Sequence, residues 1–443
     1  MMRGGEPGGQ AQGPSLGLPR RVLRSRLVHN VVSLYAVQGA SFVLPLLTLP
    51  YLARVLRPEG WGLVVFSQSF AGWVLLLLNY GFSFSATRAV ARHRGDRAEL
   101  ARTVAGVQGA KLLLCLGALA VAAVAAFAVP LFRANPLYLL WGLAFAVANG
   151  LAPLWYFQGV ERLRGPAALD VGTRVLATAA VFAWVRAPHD GWRVLAFQAV
   201  ACALSGAIST AWMYRETAFV RPRLRSALDT LRGGWALFVF CGAASVYTTA
   251  SGFVLGLLAP AAQVSFYGAG ERAARAAVML ITPLSQALYP RISHAVGRDA
   301  GHADEVARRT LLPFTALGVV LAVAAVAAAP FFAGRVLGPG YDDVVTVVRV
   351  LACLPVLVAV GTVLGLHWAL PLGMEAAYTR LVIAAGAASL LLAALLVPRM
   401  GAVGMAWSAV SAEALVEAGL VWLFLRRVAH PPAPLAVRPE GAP

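Results

Sequence analysis

Lysine is all but missing from this chain: Lys111 is the only one among 37 basic residues, which face 19 acidic ones for a formal charge of +18. Charge of either sign is scarce as well, at 13% of 443 residues, where a soluble globular domain carries about 25%. An ordinary water-soluble globule is thereby excluded. Cysteine is rare: Cys115, Cys202, Cys241 and Cys353 each sit in an apolar run, with no CxxC or Cys/His spacing. Neither a disulfide framework nor a zinc site is expected, and all four read as small buried hydrophobes. A phosphate loop of the GxxxxGK[ST] type is lacking, so ATP is not hydrolysed by this chain. No His, Asp and Glu grouping has metal-ligand spacing and no enzyme pattern stands out. We therefore expect no metal, no cofactor and no catalytic residue.

What is present is hydrocarbon: 59% hydrophobic residues and a mean hydropathy of +0.73. Apolar runs of about 20 residues, each long enough to cross a bilayer core, recur along almost the whole chain. They predict an all-α integral membrane protein with about twelve spans: 29–51, 62–86, 104–128, 137–157, 168–185, 193–214, 234–258, 264–289, 311–329, 345–368, 378–397 and 402–425. Pro58 with Gly60, Pro130, Pro260, Pro330, and Pro398 with Gly401 punctuate them.

Alternate connections differ in arginine. One set holds Arg88, Arg92, Arg94, Arg97 and Arg102, then Arg162 and Arg164, then Arg215 to Arg232, then Arg291, Arg298, Arg308 and Arg309. The other set is nearly bare, carrying Arg54, Arg57, Arg133, Arg186, Arg193, Arg335 and Arg399. By the positive-inside rule the rich set is cytoplasmic, as are both termini, and the basicity calls for no nucleic acid. The expected organisation is a disordered tail over 1–26, a six-helix bundle over 27–214, a cytoplasmic linker over 215–233, a second bundle over 234–427 and a tail over 428–443. Val55-Leu56-Arg57-Pro58 opening the second span and Leu257-Leu258-Ala259-Pro260 opening the eighth suggest a parallel repeat.

Ordered motifs stand over the first two spans and the eighth: Ser33-Leu34-Tyr35, Gln38-Gly39, Leu44-Pro45-Leu46, Leu49 to Leu56, Pro58-Glu59-Gly60, and Tyr80-Gly81-Phe82 with Ser85 to Arg88; then Tyr267-Gly268, Glu271-Arg272 and Pro283 to Ser293. The stretch 401–413 adds a weaker match. On these residues the chain resembles the Wzx-type O-antigen and polysaccharide flippases, in the oligosaccharide-flippase branch of the superfamily that also holds MATE multidrug exporters. Arg57 departs from the pattern, which usually has glycine before Pro-Glu. The resemblance implies two six-helix bundles related by a pseudo-two-fold axis. It also implies a bacterial inner-membrane location and a polyprenyl-pyrophosphate-linked oligosaccharide as cargo, with membrane lipid around it and a polysaccharide polymerase and chain-length regulator as candidate partners. The rival readings are a MATE-like cation-coupled drug exporter, whose cavity should offer carboxylates, and a membrane polymerase or ligase, which needs a long outward loop that this sequence does not have.

Intramembrane charges mark the candidate site, because each costs about 2.5–3.5 kcal/mol at mid-bilayer unless it faces the interior. Ser265, Gly268, Arg272, Arg275, Met279, Thr282 and Gln286 recur at steps of three and four, one face of the eighth span. Arg272, Arg275 and Gln286 are thus candidate substrate ligands, with Glu271 either an ion-coupling group or a helix-stabilising partner of Arg275. Lys111 lines the interior or snorkels to the cytoplasmic end of its span. Arg88, Asn79 and Asn149 complete the binding candidates, with topology or helix–helix hydrogen bonding as their plainer explanation. Glu413, one turn from Glu417, and Asp170, one turn from Arg174, are the further ion-coupling candidates; structural pairing is the simpler account of Asp170. Trp155, Tyr156 and Phe157 stack on sugars or form an interfacial belt, and His367 reads as structural.

Overall fold

The computed structural model describes residues 20–249, 251–282, 284–285 and 300–429. Every regular element among them is helical, the solution expected where no water is available to satisfy backbone N–H and C=O groups. The expected break at Pro58 falls at Arg57, where a continuous helical run over Arg20–Asn79 has φ 59 and ψ 174. A second break falls at Gly401 (φ 56), three residues after Pro398, inside the run Glu375–Ala429. Counted with these breaks and leaving aside shorter helices such as Phe82–Arg92, the described residues form long rods in the expected order, consistent with twelve spans. They are α1 (20–56), α2 (58–79), α3 (Arg97–Ala128), α4 (Pro136–Leu151), α5 (Arg164–Trp184) and α6 (Gly191–Glu216). Then come α7 (Leu224–Thr249, resumed as Ser251–Leu258), α8 (Ala261–Met279), α9 (Ala300–Phe331), α10 (344–369), α11 (375–400) and α12 (402–429). Among the described residues, eight helical stretches are long and apolar enough to cross a membrane by length and composition. Large apolar side chains such as Phe127 (78% exposed) and Leu312 (76%) stand outward, where lipid and not water is their solvent. The fold is that of a multi-pass membrane protein.

Three boundaries differ from expectation. Helix α1 starts at Arg20, so 20–26, assigned to a disordered tail, are helical. Helix α7 starts at Leu224, which shrinks the 215–233 linker to a short non-helical stretch; Leu, Arg and Ala are all good helix formers. Pro330 does not end its helix, which runs on into a π-helical turn over Phe332–Leu337. Cysteine burial is also corrected. Cys115 and Cys202 are buried but Cys353 is exposed, because a lipid-facing surface accepts a small apolar residue as readily as a core does. The side chain of Cys241 lies outside the described residues.

At the arginine-rich end, the Asp96 carboxylate caps α3 by accepting from the Glu99 and Ala98 N–H groups at 3.1 and 2.9 Å. These bonds hold its carboxyl below the usual carboxylate range. At the opposite end the two halves of the chain touch through backbone. A Cβ on Gly62 of α2 would lie 1.8 Å from the Ala261 carbonyl oxygen of α8, and one on Gly268 would lie 2.7 Å from Val65. Only the absence of a side chain permits such approach. The Tyr341 hydroxyl donates to the Ala53 carbonyl at 3.2 Å, and Arg54 donates to the Arg335 carbonyl. Gln263 closes the α11–α12 turn by accepting from the Ala402 N–H at 2.8 Å. These contacts form one seal across the turn-bearing end of the molecule.

Arg57 sits inside that seal in a backbone region that is essentially reserved for glycine and costs another residue about 1–3 kcal/mol. Replacing it with the glycine usual at this motif position removes that strain, against a backbone entropy cost of about 0.5–1 kcal/mol. We expect Arg57→Gly to raise the thermal unfolding midpoint of detergent-purified protein. A midpoint that is unchanged or lower would show that Arg57 is not strained.

Candidate functional site

Beneath the seal, on its arginine-rich side, α1, α2, α5, α6 and α8 surround a cavity of about 480 Å³. Gly268, Arg272, Arg275 and Met279 are all on its wall, so the three-four stripe read along the eighth span faces this space over four of its members. Arg272 is the centre of the arrangement. Its Nη2 donates to Gln68 Oε1 at 2.9 Å, and its guanidinium carbon lies 4.7 Å from the ring centroid of Trp61. Gln68 in turn donates through Nε2 to Gln198 Oε1 at 3.1 Å. A polar relay thus runs from α8 through α2 to α6. Arg272 Nη1 is buried and has no hydrogen-bond partner among the described residues. No acidic side chain forms an ion pair with Arg272 among them either. A guanidinium with a spare buried donor in an apolar bundle is costly, and an anion in the cavity would satisfy it with two parallel charge-assisted bonds.

The other cavity arginines are partnered. Arg275 pairs with Glu271 at 2.7 Å, and Arg174 with Asp170 at 2.8 Å. Three arginines to one glutamate on this wall leave it electropositive. Arg174 and Cys202 also line a second, smaller cavity of about 240 Å³ lodged within the first six helices. There Lys111, Asn79, Asn149, Gln158 and Asp170 converge with Trp155 and Phe157. Lys111 is 2% exposed and donates from Nζ to the Gly150 carbonyl at 2.5 Å. It turns inward, against the snorkelling alternative. Trp155, Tyr156 and Phe157 are buried, so they form no interfacial belt.

The remaining candidates lie elsewhere. Arg88 is exposed and lines neither cavity. Glu413 is on α12 beside the buried Glu417, inside the second half of the chain and away from both cavities. Gln286 lies outside the described residues. His367, carried on the π-helical end of α10, meets the Ser285 hydroxyl at 3.0 Å, in keeping with a structural role. Gln68 and Gln198 are the cavity residues around Arg272 that sequence reasoning missed; glutamines within otherwise apolar helices were the available signal.

The family described as "Polysaccharide biosynthesis protein" matches residues 27–296, more than half of the chain. A protein of Escherichia coli (strain K12) named "Putative O-antigen transporter" is 27% identical over 403 residues, covering 90% of this chain and 97% of its own length. A protein of Shigella dysenteriae with the same name is 26% identical, covering 87% and 97%. Among solved structures, an inward-facing multidrug resistance MATE family transporter superposes with a TM-score of 0.60 at 16% identity, over 86% of this chain and 94% of the other. The lipid II flippase MurJ in an inward closed conformation gives 0.62 at 10% identity, over 87% of each. These structures share the fold, and the match over 27–296 identifies the chain: it belongs to the polysaccharide biosynthesis protein family.

Proposed function

We propose that the protein is a flippase that moves a polyprenyl-pyrophosphate-linked oligosaccharide from the cytoplasmic to the outer leaflet of a bacterial inner membrane, for O-antigen, capsule or exopolysaccharide synthesis. One observation carries this reading: Arg272, with an unpartnered buried Nη1, faces a cavity that both halves of the chain line. A pyrophosphate is the anion suited to it, since bidentate contact with guanidinium groups satisfies donors that water-free surroundings leave idle. The names of the relatives support the cargo class. The arginine-rich face is the cytoplasmic one on charge placement. The cavity lies on that side of the seal and receives cargo from the cytoplasmic leaflet. Breaking the seal by rocking the bundles 27–214 and 234–427 would release cargo outward.

Glu271 and Asp170 then act as resident counter-charges that hold Arg275 and Arg174 when the phosphates are absent. Energy comes from an ion gradient, for which Glu413 on α12 is the coupling candidate. Arg88 at the cytoplasmic end meets the cargo before it enters. No step of this cycle makes or breaks a covalent bond in the cargo. A polymerase and a chain-length regulator would act on the product. A wall dominated by arginine disfavours the export of cationic drugs.

Deleting the gene is expected to leave a lipid-linked glycan on the cytoplasmic leaflet. Unpolymerised units accumulating on the periplasmic side would overturn the flippase reading in favour of an enzyme. Arg272→Ala should abolish export while the protein still inserts, and Arg272→Lys should retain part of it. Gln68→Glu separates charge from geometry, because it keeps the bond to Arg272 yet neutralises the guanidinium with a carboxylate. Export should fail in Gln68→Glu about as completely as in Arg272→Ala. Gln68→Leu removes one charge-assisted hydrogen bond worth about 1.5–3 kcal/mol and should cost about tenfold or more. Wild-type export by Gln68→Glu would show that the free charge on Arg272 is not used.

A further inference from the structure

We infer that the 240 Å³ compartment inside the first six helices is a sugar-binding subsite, holding the ring next to the pyrophosphate while Arg272 holds the phosphates. The inference rests on the flippase reading and adds a location and a ligand chemistry to it. The two compartments share Arg174 and Cys202, so a ligand can occupy both at once. Their walls differ in kind. The larger presents three guanidinium groups; the smaller shares only Arg174, already paired with Asp170, and otherwise presents amides, hydroxyls and one ammonium beside the rings of Phe82, Trp155 and Phe157.

A sugar offers hydroxyls that both donate and accept, on a ring whose C–H faces are apolar. Its binder needs mixed donors and acceptors at the edges and an aromatic surface beneath. Lys111 supplies donors only. One of its three N–H bonds goes to the Gly150 carbonyl at 2.5 Å, and two remain for a ligand. Asn149 donates to Cys202 Sγ at 3.7 Å, leaving its carbonyl oxygen as an acceptor. The Thr87 hydroxyl donates to the Trp155 carbonyl at 3.1 Å and only grazes the Gln158 carbonyl at 3.5 Å, so Gln158 offers both an acceptor oxygen and an NH₂ donor. Ser205 and Ser209, one turn apart on α6 and both buried, add hydroxyls of either sense. Trp155 and Phe157 supply the apolar surface.

Size fits one ring and not a whole repeat unit: 240 Å³ falls below the roughly 300–1,000 Å³ of sites that enclose a drug-sized ligand. Burying an ammonium and several amides together in an apolar bundle is costly unless something uses them. A phosphate could also take the Lys111 ammonium, but it would leave the aromatic walls and the acceptor oxygens without a role.

The test compares two lipids on protein reconstituted in nanodiscs. The probes are radiolabelled polyprenyl pyrophosphate, bare or carrying a single N-acetylglucosamine, glucose or galactose. Wild type should bind at least one glycosylated lipid about tenfold tighter than the bare one, as expected when hydroxyls meet a site built to hydrogen-bond them. Lys111→Met and Asn149→Ala should each remove most of that preference while leaving the affinity for bare lipid within about twofold. Arg272→Ala should weaken both lipids alike. Equal binding of bare and glycosylated lipids by wild type overturns the sugar subsite and leaves the flippase reading standing. A preference that survives both substitutions places the sugar elsewhere and likewise overturns it, as does an equal loss of bare and glycosylated lipid in Lys111→Met. Failure of wild type to bind any of these lipids sinks both readings together.

Discussion

The structure depends on sheltering one guanidinium. Arg272 lies in a helix bundle whose surroundings are apolar, and its charge is tolerable only where polar groups or water can reach it. Gln68 and Trp61 on α2 each give it partial satisfaction, which requires α2 and α8 to run side by side at short range. The glycines at 62 and 268 permit that range. Without them α2 and α8 would stand apart, and the relay from Arg272 through Gln68 to Gln198 could not span the gap. The polar site and the small-residue packing are two halves of one solution.

The seal has a corresponding character. It is made of backbone approach and a few hydrogen bonds to carbonyls, as in Tyr341 to Ala53 and Arg54 to Arg335. Such contacts are geometrically definite yet individually modest, about 0.5–1.5 kcal/mol net for the neutral Tyr341 bond and about 1.5–3 kcal/mol for the one from the charged Arg54. If this end opens and closes as in the proposed cycle, it needs a join that is specific in register but not deep in energy. Large apolar plugs would hold the halves together too firmly. The strained Arg57 lies within the same turn region, so the turn is less stable than its motif allows.

Much of the fold was legible because hydropathy in a membrane protein counts helices directly. The positions of the twelve rods, the breaks near Pro58 and Gly401 and the inward stripe of α8 could all be read along the chain. What could not be read was which apolar face of a helix meets lipid and which meets protein. In water those faces differ in polarity; in a bilayer both are apolar, and the periodic signal fades. The exposure of Cys353 was misjudged for that reason, and the choice between the two readings of Trp155 to Phe157 could not be made. The partners of Arg272 were hidden by distance along the chain, Gln68 lying 204 residues away. Lys111 was recognised as singular, but whether it snorkelled or turned inward depended on where the Gly150 carbonyl stood across the bundle.

Charge is not spread evenly over the two compartments. Arg174 stands at their junction, but Asp170 neutralises it at 2.8 Å. Glu271 does the same for Arg275 at 2.7 Å. Of the three arginines on the larger cavity wall, Arg272 alone lacks an acidic partner among the described residues. In the proposed cycle an arriving anion would therefore be drawn first to Arg272 and not to the junction. A pyrophosphate carries more negative charge than one guanidinium balances, so a second cation has to be recruited. Arg275 is next along the same helix face, and its side chain is half exposed, which makes its ion pair weak and exchangeable. Displacing Glu271 from Arg275 would leave a carboxylate without its cation inside the cavity. That carboxylate would then offer a place for a cation, so in the proposed cycle phosphate binding and cation binding would be linked through the Glu271–Arg275 pair.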